Sequence, residues 1–137
     1  MISLFCQCSC VRLADAGAFG PNENWRHLVM YPRSEILFPH RCVAALKRMR
    51  GSDWQELVSH IADLSDTHPD SLAFALMMIK LSGCLNCDLD SYKASLGCCT
   101  CAKRAINAFK GSDKQLLRRY EEAKAQLAEY VAEHEAA

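Results

Sequence analysis

The feature that most constrains this chain is a pair of CxxC motifs, Cys84 with Cys87 and Cys98 with Cys101, separated by ten residues. A CxxC turn presents two sulfurs to one ion, and a second turn across a loop supplies the other two donors of a tetrahedral site. Apart from this spacing, the chain carries no strong functional pattern. The spacing predicts a four-cysteine metal centre at 84–101, with Cys84, Cys87, Cys98 and Cys101 as its ligands.

Other cysteines compete with this assignment. Cys99 is the substitute for Cys98 as fourth ligand, although Cys98 keeps the two-residue spacer that lets both sulfurs of a motif reach one ion. His40 and Cys42 are weaker candidates, and Cys42 is predicted to be a small buried apolar residue on a helix face. The N-terminal tract holds three further thiols with no matching donors nearby, and their presence is interpreted as incidental: Cys6, Cys8 and Cys10.

The nature of the centre follows from the expected compartment. The N-terminus has no basic region, apolar stretch or cleavage site typical of a secretory signal, which predicts a cytoplasmic protein. Clustered cysteines in a reducing cytosol more often bind metal than form lasting disulfides. Zinc is the favoured occupant, a 4Fe-4S cluster on the same four cysteines is the alternative, and disulfides or a redox-active CxxC pair remain open.

Composition excludes several classes of protein. At 137 residues, half of them apolar, the chain is long enough for one domain with its own core. Sixteen basic side chains balance sixteen acidic ones, so no net field draws the protein to nucleic acid, and no nucleic-acid partner is expected. No apolar run reaches the length of a membrane span, so no membrane association is expected.

Periodicity predicts an all-α fold of about five helices, with residues 1–39 as an irregular arm and 40–137 as one helical domain. A short helix is predicted over 40–51, with Gly51 as a left-handed C-cap. Capping boxes are predicted at Ser52 with Gln55 and at Ser112 with Gln115, and Thr67 is the predicted cap of a central buried helix that Gly83 ends. A long final helix is predicted over about 113–134.

The final helix carries apolar residues at heptad spacing, which is typical of a helix that packs along one seam. Packing of this seam across its own domain is slightly favoured, and the alternative is a protein partner or a homodimer through this helix. Its members are Leu116, Tyr120, Ala123, Leu127, Tyr130 and His134.

The sequence favours a non-enzymatic role. It contains no GxSxG, P-loop, GxGxxG or HExxH motif, and no catalytic residue is proposed. The predicted function is a small cytoplasmic accessory or adaptor protein with a structural zinc centre. An iron-sulfur electron carrier or redox sensor is the alternative, and a thiol oxidoreductase is the third hypothesis.

Overall fold

The computed structural model describes residues 33–136, and every regular element in that range is helical. The predicted all-α fold class is confirmed for these residues, whereas residues 1–32 of the predicted arm, with their three cysteines, lie outside them. The five α-helices are α1 (Ser52–Asp63), α2 (Pro69–Ser82), α3 (Tyr92–Ser95), α4 (Cys98–Ala108) and α5 (Asp113–Glu135), and three 3₁₀ segments are His40–Cys42, Ala44–Met49 and Cys84–Asn86.

Helix α2 is the centre of the domain, as its apolar sequence predicts. It contacts α1, α4 and α5, and its Phe74 side chain is fully buried. The Phe74 ring centroid lies 5.6 Å from that of Trp54, 6.2 Å from that of Phe38 and 6.4 Å from that of Tyr120. The Phe74 side chain of α2 therefore contacts α1, α5 and the segment around Phe38 that precedes the helices.

The segment 40–51 differs from its prediction. It forms two 3₁₀ segments instead of one α-helix, and Gly51 is extended (φ −67°, ψ −173°) rather than left-handed. The reason is tertiary: Cys42, Val43 and Leu46 are buried, and the Leu46 carbonyl accepts a hydrogen bond from the Trp54 indole at 2.9 Å. Packing of these side chains outweighs the helical preference of the local sequence.

Arg50 links this segment to the end of α4. Its guanidinium donates to the carbonyls of Ile106 at 2.7 Å, Phe109 at 2.6 Å and Gly111 at 3.2 Å. These carbonyls lie in and beyond the last turn of α4, where helix acceptors lack intrahelical partners and a positive charge is favourable. Arg50 therefore fixes the C-terminal end of the helix that carries the second CxxC motif.

The helix caps are partly as predicted. Ser112 and Gln115 form the predicted capping box of α5, and Gly83 ends α2 in the left-handed conformation (φ 69°, ψ 40°). The other two predicted caps are wrong. α1 begins after Gly51, whose amide donates to Asp113 Oδ2 at 2.9 Å, and α2 is capped by His68, whose Nδ1 accepts from the Asp70 amide at 3.1 Å.

Helix α5 is divided between a packed and an exposed part. Its first half packs against α2 through three buried residues of the predicted seam: Leu116, Tyr120 and Ala123. Leu127 is partly buried, and every residue from 128 to 136 is exposed. The first half of the seam thus belongs to the protein's own core.

Candidate metal centre

A non-helical strap, residues 33–39, crosses the start of α4 and leads into the core. The Cys98 amide donates to the Arg33 carbonyl at 3.0 Å, and the Ser34 hydroxyl donates to the Ala94 carbonyl. Phe38 near the end of the strap is buried against Phe74. The strap therefore holds a fixed position beside the second CxxC motif.

Gly97 makes this close approach feasible. Its φ is +87°, a conformation that side chains with a Cβ rarely adopt. A Cβ at this position would lie 2.8 Å from the Arg33 Cβ and 3.1 Å from the Arg33 carbonyl oxygen. The residue directly before the second motif therefore has to be glycine if the strap is to lie where it does.

The first CxxC motif turns immediately after α2. Gly83 reverses the chain, and the following 3₁₀ segment is closed by the Cys87 amide, which donates to the Cys84 carbonyl at 3.1 Å. The second motif forms the first turn of α4, where the Cys101 amide donates to the Gly97 carbonyl at 3.0 Å. The N-terminal turn of a helix favours thiolate, because its free amides carry partial positive charge.

Both motifs open onto one small pocket. All four predicted ligands line a cavity of about 20 Å³, together with side chains of the strap and of the loop between the motifs. A cavity of this size has room for a single water-sized or ion-sized occupant. The remaining residues around it are Ser34, Glu35, Ile36, Phe38, Ser82, Leu89, Lys93, Ala94 and Gly97.

Donors from the strap and one lysine face the sulfurs. The Glu35 amide donates to Cys98 Sγ at 3.1 Å, and Lys93 both lines the pocket and donates to the Ser82 carbonyl at 2.6 Å. Lys103 and Arg104, which follow the last ligand in the sequence, are exposed and do not line it. Sequence reasoning missed Lys93, although it lies midway in the spacer between the motifs.

The thiols influence one another. Burial raises the pKa of the Cys84 thiol, and the neighbouring Cys101 and Cys98 raise it further, against a backbone hydrogen bond from Phe38 and the charge of Lys93. Burial also raises the pKa of Cys101, where Lys93 opposes the shift and Cys87 and Cys98 add to it. Negative charge on neighbouring cysteines therefore disfavours the thiolate forms of Cys84 and Cys101, and a divalent cation in the pocket would relieve that repulsion.

The conformation does not contain a preformed metal site. Within residues 33–136, no three Cys, His, Asp or Glu side chains converge closely enough to hold an ion. The donor chemistry suits zinc, but the sulfurs would have to turn inward to reach thiolate-metal distances of about 2.3 Å. The metal centre at 84–101 therefore stays a prediction, supported by the shared pocket.

Cys99 is bonded to Cys42 in a disulfide that the sequence interpretation did not anticipate. Their Cα atoms are 4.9 Å apart, across 57 residues of sequence. Cys42 is completely buried, as expected, but it is paired rather than free. Cys99 does not line the pocket, so it is not available as a substitute for Cys98 while this bond is intact.

His40 is also separate from the sulfurs. Its Nε2 lies 3.1 Å from the Ile61 carbonyl at the end of α1, and it does not line the cysteine pocket. The structure thus places the four predicted cysteines on one pocket, and His40, Cys42 and Cys99 do not line that pocket.

Two further findings bear on the class of protein. No helix in the described range 33–136 is both long enough and apolar enough to cross a membrane. Comparisons with protein-family models, with curated proteins and with solved structures gave no significant match to this chain.

Proposed function

We propose that this chain is a small cytoplasmic accessory or adaptor protein whose four-cysteine pocket binds a structural zinc ion. The observation that carries the proposal is the single cavity lined by Cys84, Cys87, Cys98 and Cys101. Four thiols around one small space are a donor set that soft divalent metals prefer, and four donors leave no open position for a substrate. This favours a structural over a catalytic centre.

The cysteine pattern favours zinc over a cluster. A 4Fe-4S cube takes the same four thiolates, but the sequence lacks the compact run of cysteines with a trailing proline that is typical of ferredoxins. The iron-sulfur hypothesis thus ranks second, and purified protein separates the two hypotheses because zinc protein is colourless and cluster protein is brown.

The structural role rests on how little apolar burial the surrounding loop provides. Between Gly83 and Gly97 the only buried side chain is that of Ala94, and Leu85 inside the first motif is 79% exposed. A loop without its own core gains stability when a metal closes it, because the ion replaces missing contacts with strong bonds. Zinc would therefore fix the connection between α2 and α4.

Metal content tests the proposal. Protein made without a metal-affinity step should carry about one equivalent of zinc by elemental analysis. Cys87→Ser should lose most of it because one of the four donors is removed. The double variant Cys42→Ala with Cys99→Ala is the matched control, since it removes two cysteines outside the pocket and should retain the metal. No zinc in the native chain, or equal loss in both variants, would refute the assignment.

The exposed end of α5 is the proposed site for a protein partner, including a second copy of the chain. Tyr130 is 58% exposed and Val131 is 42% exposed, and the Tyr130 ring stacks on His134 with centroids 4.0 Å apart. Tyr130 and His134 continue the seam beyond the part that packs in the domain, and Val131 lies next to Tyr130 in the sequence.

Adding positive charge to the exposed end of α5 tests whether the chain assembles through it. Tyr130→Lys with Val131→Lys should dissociate the assembly without loss of helical circular dichroism, because neither side chain contributes to the core. The measurement is sedimentation velocity across a concentration series. A native chain that sediments as a monomer at every concentration would exclude the homodimer and leave a different protein as the partner.

A further inference from the structure

We propose that the disulfide between Cys42 and Cys99 is a reversible redox lock on the cysteine pocket, and that its reduction by a dithiol speeds release of the bound metal. This inference rests on the proposed function, since it requires a metal in the pocket. The inference goes beyond the proposed function because it assigns a regulatory role to Cys42 and Cys99, the two cysteines outside the pocket.

The position of the bond relative to the pocket supports this role. Cys99 lies in the first turn of α4, between the predicted ligands Cys98 and Cys101. Cys42 lies in the 3₁₀ segment that directly follows the strap. The disulfide thus joins the two structural elements that enclose the sulfurs on this side.

The strap contributes directly to the sulfur environment. Its Glu35 amide donates to Cys98 Sγ at 3.1 Å. A hydrogen bond of this kind fixes the position of the Cys98 sulfur relative to the strap. When the cross-link is cut, the segment that follows the strap loses its covalent link to α4, and the Glu35 amide can withdraw from the Cys98 sulfur.

The exposure of the two sulfur-bearing residues gives the reaction a direction. Cys42 has no exposed surface, whereas Cys99 is partly exposed, so we assign the attack of an incoming thiolate to Cys99 Sγ. The sulfur–sulfur bond breaks, Cys42 leaves as a thiolate that takes up a proton, and Cys99 forms a mixed disulfide with the reductant. The second thiol of the reductant then attacks the reductant sulfur of that mixed disulfide. This step frees Cys99 and leaves the reductant as a disulfide. Two electrons and two protons pass from the dithiol to the protein.

Other contacts keep the domain folded after reduction. Phe38 stays buried against Phe74, and Val43 and Leu46 are buried in the core independently of the disulfide. The strap is also held by the hydrogen bond from Ser34 to Ala94. Reduction is therefore expected to loosen the pocket locally rather than unfold the protein.

The experiment measures the rate of zinc transfer from the loaded, disulfide-bonded full-length chain to a chromogenic chelator. Treatment with a phosphine reductant should accelerate transfer about tenfold, a size typical of coupling between two sites. Mass spectrometry after alkylation reports the state of Cys42 and Cys99 in the same samples. Circular dichroism checks that the helices persist.

The double variant Cys42→Ala with Cys99→Ala separates the lock from a direct action of the reductant on zinc. It should release zinc at the fast rate with or without reductant, and in both cases from a starting content of about one equivalent. Equal rates for the oxidised and reduced native chain, both loaded with zinc, would overturn the lock and leave the metal site standing. A chain that binds no zinc in either redox state would instead overturn the proposed function.

Discussion

The core around α2 and the cysteine region 83–101 obtain their order from different interactions. Helix α2 places Ser71, Ala73, Phe74, Met77, Met78 and Ser82 in the interior, whereas in 83–101 only Ala94 and Gly97 are buried. The cysteine region is held by backbone hydrogen bonds, by the strap and by the disulfide at Cys99. The comparison indicates that the core is stabilised by apolar burial, and that the cysteine region needs cross-links because it has little to bury.

The largest expected effect is in the core. Phe74→Ala should lower the free energy of unfolding by about 3–5 kcal/mol, because it removes a fully buried aromatic side chain that contacts three others. Urea denaturation followed by circular dichroism measures the change. Leu72→Ala on the same helix is the control, since Leu72 is 44% exposed and its loss should cost well under half as much. Similar losses of unfolding free energy at the two positions would contradict the conclusion that apolar burial stabilises the core.

A pair of glycine substitutions sharpens the comparison within the cysteine region. Gly97→Ala should cost about 2 kcal/mol or more, because its positive φ and the contact with Arg33 both oppose a Cβ. Gly83→Ala should cost about 1 kcal/mol, since its φ is also positive but no atom lies within 4 Å of the added Cβ.

Amide hydrogen exchange shows where these two changes act. Gly97→Ala should increase exchange at the Glu35 and Cys98 amides, which depend on the position of the strap. Gly83→Ala should leave those two amides protected. Faster exchange throughout α2 in the Gly97 variant would mean that the cysteine region and the core are a single cooperative unit.

The smallest expected effect comes from a surface ion pair between α2 and α5. Lys124 Nζ lies 2.7 Å from Asp70 Oδ1, and this contact holds the pKa of the Asp70 carboxyl below its ordinary value. A depressed pKa adds stability that is fully present above the unfolded value of about 3.9 and is lost as pH falls through the folded pKa.

Asp70→Asn should therefore lower the melting temperature slightly at neutral pH. The loss should be at most about 1 kcal/mol, because Lys124 is nearly half exposed and solvent screens the pair. The difference between the two proteins should shrink as pH falls below about 4, where the native carboxylate also becomes neutral. A difference that stays constant down to that pH would assign the effect to packing rather than to charge.

Sequence reasoning succeeded where a local pattern decides the structure. The buried helix α2 follows from a nearly uninterrupted apolar run, and the α5 start follows from Ser112 and Gln115, whose capping bonds lie within one turn. The four cysteines with CxxC spacing line one pocket, but their role as metal ligands stays a prediction. Each of these features depends on residues that are close together in the chain.

Features that depend on distant residues were not predicted. Gly51 was expected to be left-handed, but a hydrogen bond to Asp113 holds it extended. The disulfide between Cys42 and Cys99, which spans 57 residues of sequence, was not expected. Helical periodicity places Cys42 on an apolar face but does not identify the residue opposite it. The strap was likewise missed, because residues 33–39 carry no motif and are positioned by contacts with Ala94, Gly97 and Cys98.

The unequal packing of α5 also affects how the molecule tumbles in solution. The helix is roughly 34 Å long at 1.5 Å per residue, and the residues 128–135 at its end, roughly 12 Å, are all exposed. A helical rod that extends beyond the packed part of a domain slows rotation about the axes perpendicular to it. Amide ¹⁵N relaxation should therefore be anisotropic, with vectors along α5 reporting the slower rotation. A spin label near Glu129 would follow the rod with little disturbance of the core or the pocket.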